Sequence, residues 1–210
     1  MKTQTSSKEI VLMMSKLPKL YIIAGCNGAG KTTASFTILP EILGCKEFIN
    51  ADEIAKGLSP FQPESVAVQA GRIMLARMDE LLQKGETFAF ETTLATKSYK
   101  QKIEWAQANG YEVTLLFFWL RNVAMAKERV AQRVAEGGHS IPLETIERRY
   151  HNGIANLFAI YIDMVDICYI FDNSEGRKEL IAQKERHKDI VIYNNDKFNL
   201  IKNNDERGNN

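Results

Sequence analysis

Apolar residues gather in six short runs, at residues 20–24, 48–50, 87–91, 113–120, 167–172 and 190–193, and the stretches between them carry helical spacing. Strand-length apolar runs alternating with helices are the rhythm of a parallel sheet covered on both faces. The first run, Leu20-Tyr21-Ile22-Ile23-Ala24, is apolar throughout, as a strand buried on both faces must be. Val66, Ala70, Ile73, Met74, Leu81 and Leu82 recur at helical spacing, and Gly85 supplies a stop. A second helix is expected over residues 103–108, closed by Asn109-Gly110, and a third over residues 123–135. Pro142 opens a fourth, whose apolar stripe is Ile146, Tyr150, Ile154, Leu157, Phe158 and Tyr161. The pattern predicts an α/β fold: a parallel sheet of about five strands sandwiched by helices, with a small helical lid and the last run as an edge addition. Residues 1–19, polar and mixed, read as a flexible arm, residues 20–202 as the folded domain, and residues 203–210, built of Asn, Asp, Glu, Arg and Gly, as a disordered tail.

Composition narrows the partners. The chain has 210 residues, 45% apolar and 25% charged, with a net charge of +1, so bulk electrostatics favours neither nucleic acid nor an anionic membrane. The longest apolar run, residues 113–120, is strand-length and far short of a membrane span. Cys26, Cys45 and Cys168 are scattered and odd in number, which fits a reduced cytoplasmic protein and neither a disulfide nor a zinc scaffold.

Between the first run and a helical stretch stands Gly25-Cys26-Asn27-Gly28-Ala29-Gly30-Lys31-Thr32, a complete phosphate-binding P-loop pattern. Glycines let the backbone curl and turn its N–H groups inward, and the following helix begins at the bound anion. Thr33 extends the expected nucleotide-binding set. Lys31 is expected to reach the β- and γ-phosphates of ATP, and the Thr32 hydroxyl to hold Mg²⁺. The dipoles of the same loop favour a thiolate at Cys26, which is therefore expected to be the most reactive cysteine. A transporter-type ATPase shares the loop but carries a Leu-Ser-Gly-Gly-Gln signature, whereas Leu58-Ser59 here runs into Pro60. A GTPase needs Asn-Lys-x-Asp, and Asn195-Asp196-Lys197 has another order.

Ligands of open α/β sheets bind beyond the carboxyl ends of strands, and two acids are expected there. Asp52 is the candidate base that takes a proton from an acceptor hydroxyl, with a helix cap as its alternative role. Glu91, just before Thr92-Thr93, is a candidate for holding substrate hydroxyls or the water around Mg²⁺, or again a cap. Arg129 and Arg133, four residues apart, share a helix face. Gly137-Gly138-His139 then breaks the helix, and Arg148-Arg149 follow on the next one. Closing over a phosphoryl group, such arginines would neutralise transition-state charge; otherwise they form a solvated charged face. His139 reads as a loop residue contacting ligand, and no Cys or His spacing suggests a metal site.

Taken together, the loop with its strand, Asn50-Ala51-Asp52-Glu53-Ile54-Ala55, Phe90-Glu91-Thr92-Thr93 and the segment from Arg129 to Tyr150 resemble the zeta-toxin family of bacterial P-loop kinases, over residues 19–174. The resemblance implies an ATP-dependent phosphotransferase acting on the 3′-hydroxyl of the amino sugar in UDP-N-acetylglucosamine, with an antitoxin protein as a candidate partner. It implies that Lys31 binds phosphate, Asp52 is the base, Glu91 and Thr93 line the sugar-nucleotide pocket, and Arg129 or Arg133 contacts the ATP phosphates. Two departures bear on the acceptor. Gly138-His139-Ser140 stands where toxin members have a second lid arginine, so either His139, Arg148 or Arg149 substitutes or the activity is altered. Leu75 stands in place of a substrate-contacting acid. Cys26 occupies a loop position that is often proline. Outside the resemblance, a kinase of another small hydroxyl substrate and an ATPase switch acting on a protein partner remain the other readings.

Overall fold

The computed structural model of the chain describes residues 17–138 and 140–206. Most of the expected arm, His139 and the last four residues of the expected tail lie outside them. Seven strands appear among the described residues: β1 (Lys19–Gly25), β2 (Glu47–Ile49), β3 (Phe88–Thr92), β4 (Glu112–Trp119), β5 (Ile167–Asp172), β6 (Glu179–Glu185) and β7 (Val191–Ile192). They form one sheet in the order β2-β3-β1-β4-β5-β6-β7. The five strands from β2 to β5 run parallel, as the apolar runs predict. β6 and β7 then add antiparallel on the β5 side, making a sheet of seven. β6 escapes the hydrophobic reading because Glu-Leu-Ile-Ala-Gln-Lys-Glu buries only Ile181 and Ala182. The run at residues 190–193 supplies β7 at the outer edge.

Helices pack on both faces: α1 (Lys31–Thr37), α2 (Ala51–Leu58), α3 (Ala67–Lys84), α4 (Lys100–Ala108), α5 (Val123–Ala135), α6 (Leu143–Asn156), α7 (Ile162–Met164) and α8 (Asn195–Glu206). α3 ends on Gly85, whose φ of 68° is the left-handed stop the sequence offers. Pro142 caps α6, and Ile146, Tyr150 and Ile154 are buried along its inner stripe. The helix then widens through Leu157–Tyr161 before α7 closes it.

α8 carries four residues of the stretch expected to be a disordered tail. Its composition is polar, but Phe198 and Ile201 are buried, the Phe198 ring meets Phe158 edge-on, and the Asn204 amide reaches the Tyr150 hydroxyl at 3.4 Å. Two apolar anchors three residues apart are enough to seat a helix on a formed core.

Strand order reverses at β1, which pairs with β3 on one side and β4 on the other. The carboxyl ends of these strands lie level, with Ala24 opposite both Thr92 and Phe117. A crevice opens beyond such a switch point, and the chain's candidate residues converge on it.

Candidate active site

Gly25 leaves β1 with φ 139°, and a Cβ there would stand 2.2 Å from the Phe118 carbonyl oxygen. Only glycine lets the chain turn this close to β4. The loop then curls through Asn27 and Gly28, with the Ala29 N–H donating to the Cys26 carbonyl at 3.2 Å, and Gly30 leads into α1. Cys26 and Ala29 pack inward, away from solvent. This burial works against the thiolate expected at Cys26, although Cys45 and Cys168 are at least as buried. Burial pushes the thiol up to about 11, and the nearby Lys31 charge does not offset the loss of solvation.

Lys31 and Thr32 open α1 and converge on one acid. The Thr32 hydroxyl donates to Glu91 Oε2 at 2.8 Å, and Lys31 Nζ stands 3.6 Å from Glu91 Oε1. Lys31 also donates to the Cys26 carbonyl at 2.9 Å. Asn50 completes the cluster by donating to Glu91 Oε2 at 3.0 Å. Glu91 thus ends β3 against the phosphate loop itself, in contact with the two residues expected to serve phosphate and metal.

Asn50 also decides the alternative left open for Asp52. The side chain capping α2 is that of Asn50, whose Oδ1 accepts from the backbone N–H of Asp52 at 2.8 Å and of Glu53 at 3.4 Å. Asp52 is not the cap; it sits exposed in the first turn, with its carboxylate available to a ligand.

Two clefts, each of about 310 Å³, meet here. Gly28, Gly30, Thr32, Thr33, Arg129 and Arg133 line the first. Thr92, Thr93, Tyr99, Arg148, Arg149 and Asn152 line the second. Asn27, Lys31, Asp52 and Glu91 belong to both, so they form the shared wall. The arginine segment is therefore divided. Arg129 and Arg133 project from α5 into the first cleft, whereas Arg148 and Arg149 of α6 border the second and do not supply a second arginine to the first. Arg149 is tied to the loop by a 3.3 Å hydrogen bond to Asn27 Oδ1.

Arg129 donates to the Ser174 carbonyl at 2.8 Å. Arg133 differs: its Nε and one terminal nitrogen are buried and lack a hydrogen-bond partner among the described residues. Buried donors without partners are costly. Leu75, where a departure was noted, lines neither cleft, while its neighbour Met74 lines the second. Tyr99 and Asn152 of the second cleft went unread in the sequence, and Asn50 was read only as part of the stretch at residues 50–55. Asn50 alone had a local signal, as an Asn before an acidic first turn.

Residues 3–204 match the Zeta toxin family model. An uncharacterized protein of Haemophilus influenzae (strain ATCC 51907 / DSM 11121 / KW20 / Rd) is 28% identical over 132 residues, 63% of this chain and 92% of that one. Among solved structures, AvrRxo1-ORF1:AvrRxo1-ORF2 with sulphate ions aligns with a TM-score of 0.70 at 17% identity, covering 88% of this chain and 63% of that chain, so this chain spans under two thirds of its length. A structure from the PezAT chromosomal toxin–antitoxin system of Streptococcus pneumoniae aligns with a TM-score of 0.63 at 15% identity, over 99% of this chain and 98% of that one. At such identities the structural likeness is one of fold. The family match runs almost the whole length of the sequence and is direct: this chain belongs to the Zeta toxin family.

Proposed function

We propose that this protein transfers the γ-phosphoryl group of ATP to a hydroxyl of a sugar nucleotide, with UDP-N-acetylglucosamine, suggested by the family resemblance, as acceptor. The observation that carries the reading is the shared wall: Lys31, Asp52 and Glu91 border both clefts, so one side can take the donor and the other the acceptor. In-line transfer requires the two substrates to meet at such a wall.

The first cleft suits a polyphosphate. Its loop N–H groups, Lys31, Arg129 and Arg133 supply positive potential. A structure of AvrRxo1-ORF1:-ORF2 with ATP supports ATP as the donor. The Thr32 hydroxyl and the Glu91 carboxylate are hard oxygen donors of the kind that would hold Mg²⁺. Bound there, Mg²⁺ supplies charge neutralisation on the phosphate oxygens.

The chain's own groups do the rest. Lys31 exchanges the Cys26 carbonyl for phosphate. Asp52 orients the acceptor hydroxyl and accepts its proton as the new oxygen–phosphorus bond forms. Arg129 and Arg133 offset charge on the transferred group. Thr92, Thr93, Arg148 and Arg149 hold the acceptor, the two arginines suiting its diphosphate. His139 is proposed as a further ligand contact. The PezAT structure, from a toxin–antitoxin system, supports an antitoxin as protein partner. Three free thiols favour a reducing, cytoplasmic setting.

The test is ATP turnover by wild type and Lys31→Ala, with and without a panel of sugar nucleotides. Acceptor-dependent ADP release in the wild type, lost in a folded Lys31→Ala, is expected. Equal turnover by the two proteins would remove the loop from the reaction.

A further inference from the structure

β5 runs out into Asp172-Asn173-Ser174, of which Asn173 and Ser174 each hold a different part of the site. Asn173 Nδ2 donates to the Ala29 carbonyl of the phosphate loop at 2.9 Å. Its own backbone N–H is taken by the Trp119 carbonyl at 3.0 Å, which fixes it to β4. The contact with the loop is tight. Gly30 has φ 77°, and a Cβ on it would stand 2.6 Å from Asn173 Nδ2. Ser174 offers its carbonyl to Arg129 at 2.8 Å and its hydroxyl oxygen to the Arg121 N–H at 3.0 Å.

Asp172 secures this stretch from behind. It is 3% exposed, and Oδ1 accepts from the Ser174 N–H at 2.8 Å and hydroxyl at 2.5 Å. Its other oxygen accepts from Lys197 Nζ of α8 at 2.6 Å, and Lys197 also meets Glu179 of β6 at 2.7 Å.

The peptide joining Ala29 to Gly30 is planar and trans, so its C=O and N–H point in opposite directions. With the carbonyl held outward on Asn173, the Gly30 N–H is aimed the other way, where Gly30 lines the first cleft. Were this peptide to turn over, a carbonyl oxygen would face bound phosphate in place of a donor. We propose that Asn173 is a positioning residue for the phosphate loop, and that the Asp172–Lys197 pair makes its hold depend on the β6–β7–α8 extension. This rests on the reading of the first cleft as the ATP site.

The experiment is calorimetric titration of the full chain with Mg²⁺-ATP and, separately, with tripolyphosphate, alongside thermal melting. Asn173→Ala removes the donor. Asn173→Asp keeps the shape but turns the donor into an acceptor that repels the Ala29 carbonyl. ATP affinity is expected to fall about tenfold in Asn173→Ala, the upper scale of one lost neutral hydrogen bond, and further in Asn173→Asp. Tripolyphosphate should weaken by the same factors, because the defect lies in the cradle. Lys197→Met should weaken ATP in the same direction, and Lys197→Arg should restore it. Unchanged ATP affinity in both Asn173 variants overturns the proposal. So does affinity that falls only in step with melting temperature across the four variants, which would assign Asn173 to general stability. A wild type that binds neither ATP nor tripolyphosphate overturns the phosphotransferase reading beneath it instead.

Discussion

The Thr32 hydroxyl donates to Glu91 at 2.8 Å, so the end of β3 and the phosphate loop form one hydrogen-bonded unit. Groups that act as a unit do not contribute additively. Thr32→Ala and Glu91→Gln are each expected to lower kcat about a hundredfold, the scale of losing one transition-state contact. The double variant should be little worse than either alone. Steady-state kinetics on the four proteins checks this, and simple multiplication of the two losses would mean that the residues act separately.

Asn50 and Asp52 stand two residues apart, and the cap is Asn50, which leaves Asp52 for the proposed role of base. Asn50→Ala should cost about 1 kcal/mol of stability, as loss of an N-cap does. Asp52→Asn should melt as the wild type does and bind ATP normally, while kcat drops by about two to four orders of magnitude. Paired melting and kinetic measurements separate the two. A large melting loss in Asp52→Asn with normal turnover would return Asp52 to a structural role.

Buried thiols should be inert at neutral pH. Burial raises Cys26 and Cys45 to about 11 and Cys168 to about 12. Ellman's reagent at pH 7.5 should therefore titrate these thiols slowly in the native protein and all three promptly in denaturant. Rapid native labelling of Cys26 would show that the loop dipoles outweigh its burial.

The Asp172–Lys197 pair predicts a stability plateau bounded on both sides. Burial alone would raise the Asp172 carboxyl, but the Lys197 and Ser174 hydrogen bonds prevail and hold it below the usual range. Lys197 is raised by its bonds to Asp172 and Glu179. The depressed acid contributes stability above about pH 4 that is lost as pH falls through its folded pKa. The raised lysine contributes stability below about pH 10 that is lost as pH climbs through its folded pKa. The melting difference between wild type and Lys197→Met should be flat between these limits and shrink at either end. A difference that does not vary with pH would mean that the pair contributes no charge-dependent stability.

The phosphate loop was legible because its eight residues are contiguous and its strand and helix lie on either side. The helix-terminating Gly85 and helix-opening Pro142 were legible for the same reason: each acts on its own backbone. What could not be read depends on distant partners. β6 is half polar and becomes a strand only by pairing with β5, and α8 is held by Phe158 and Tyr150 from elsewhere in the chain. Asn173 is 144 residues from the carbonyl that it holds. Cys26 shows the same limit from the other side, since its position in the loop suggested activation and its inward packing, invisible in the pattern, reverses the sign.

Transfer across the wall that holds Asp52 can be measured by mass spectrometry of the acceptor after incubation with ATP, Mg²⁺ and a panel of sugar nucleotides. One sugar nucleotide, UDP-N-acetylglucosamine first among them, is expected to gain the mass of a single phosphoryl group with wild type and to stay unmodified with Lys31→Ala and Asp52→Asn. ADP formation by the wild type with every acceptor unmodified would contradict phosphoryl transfer to a sugar nucleotide.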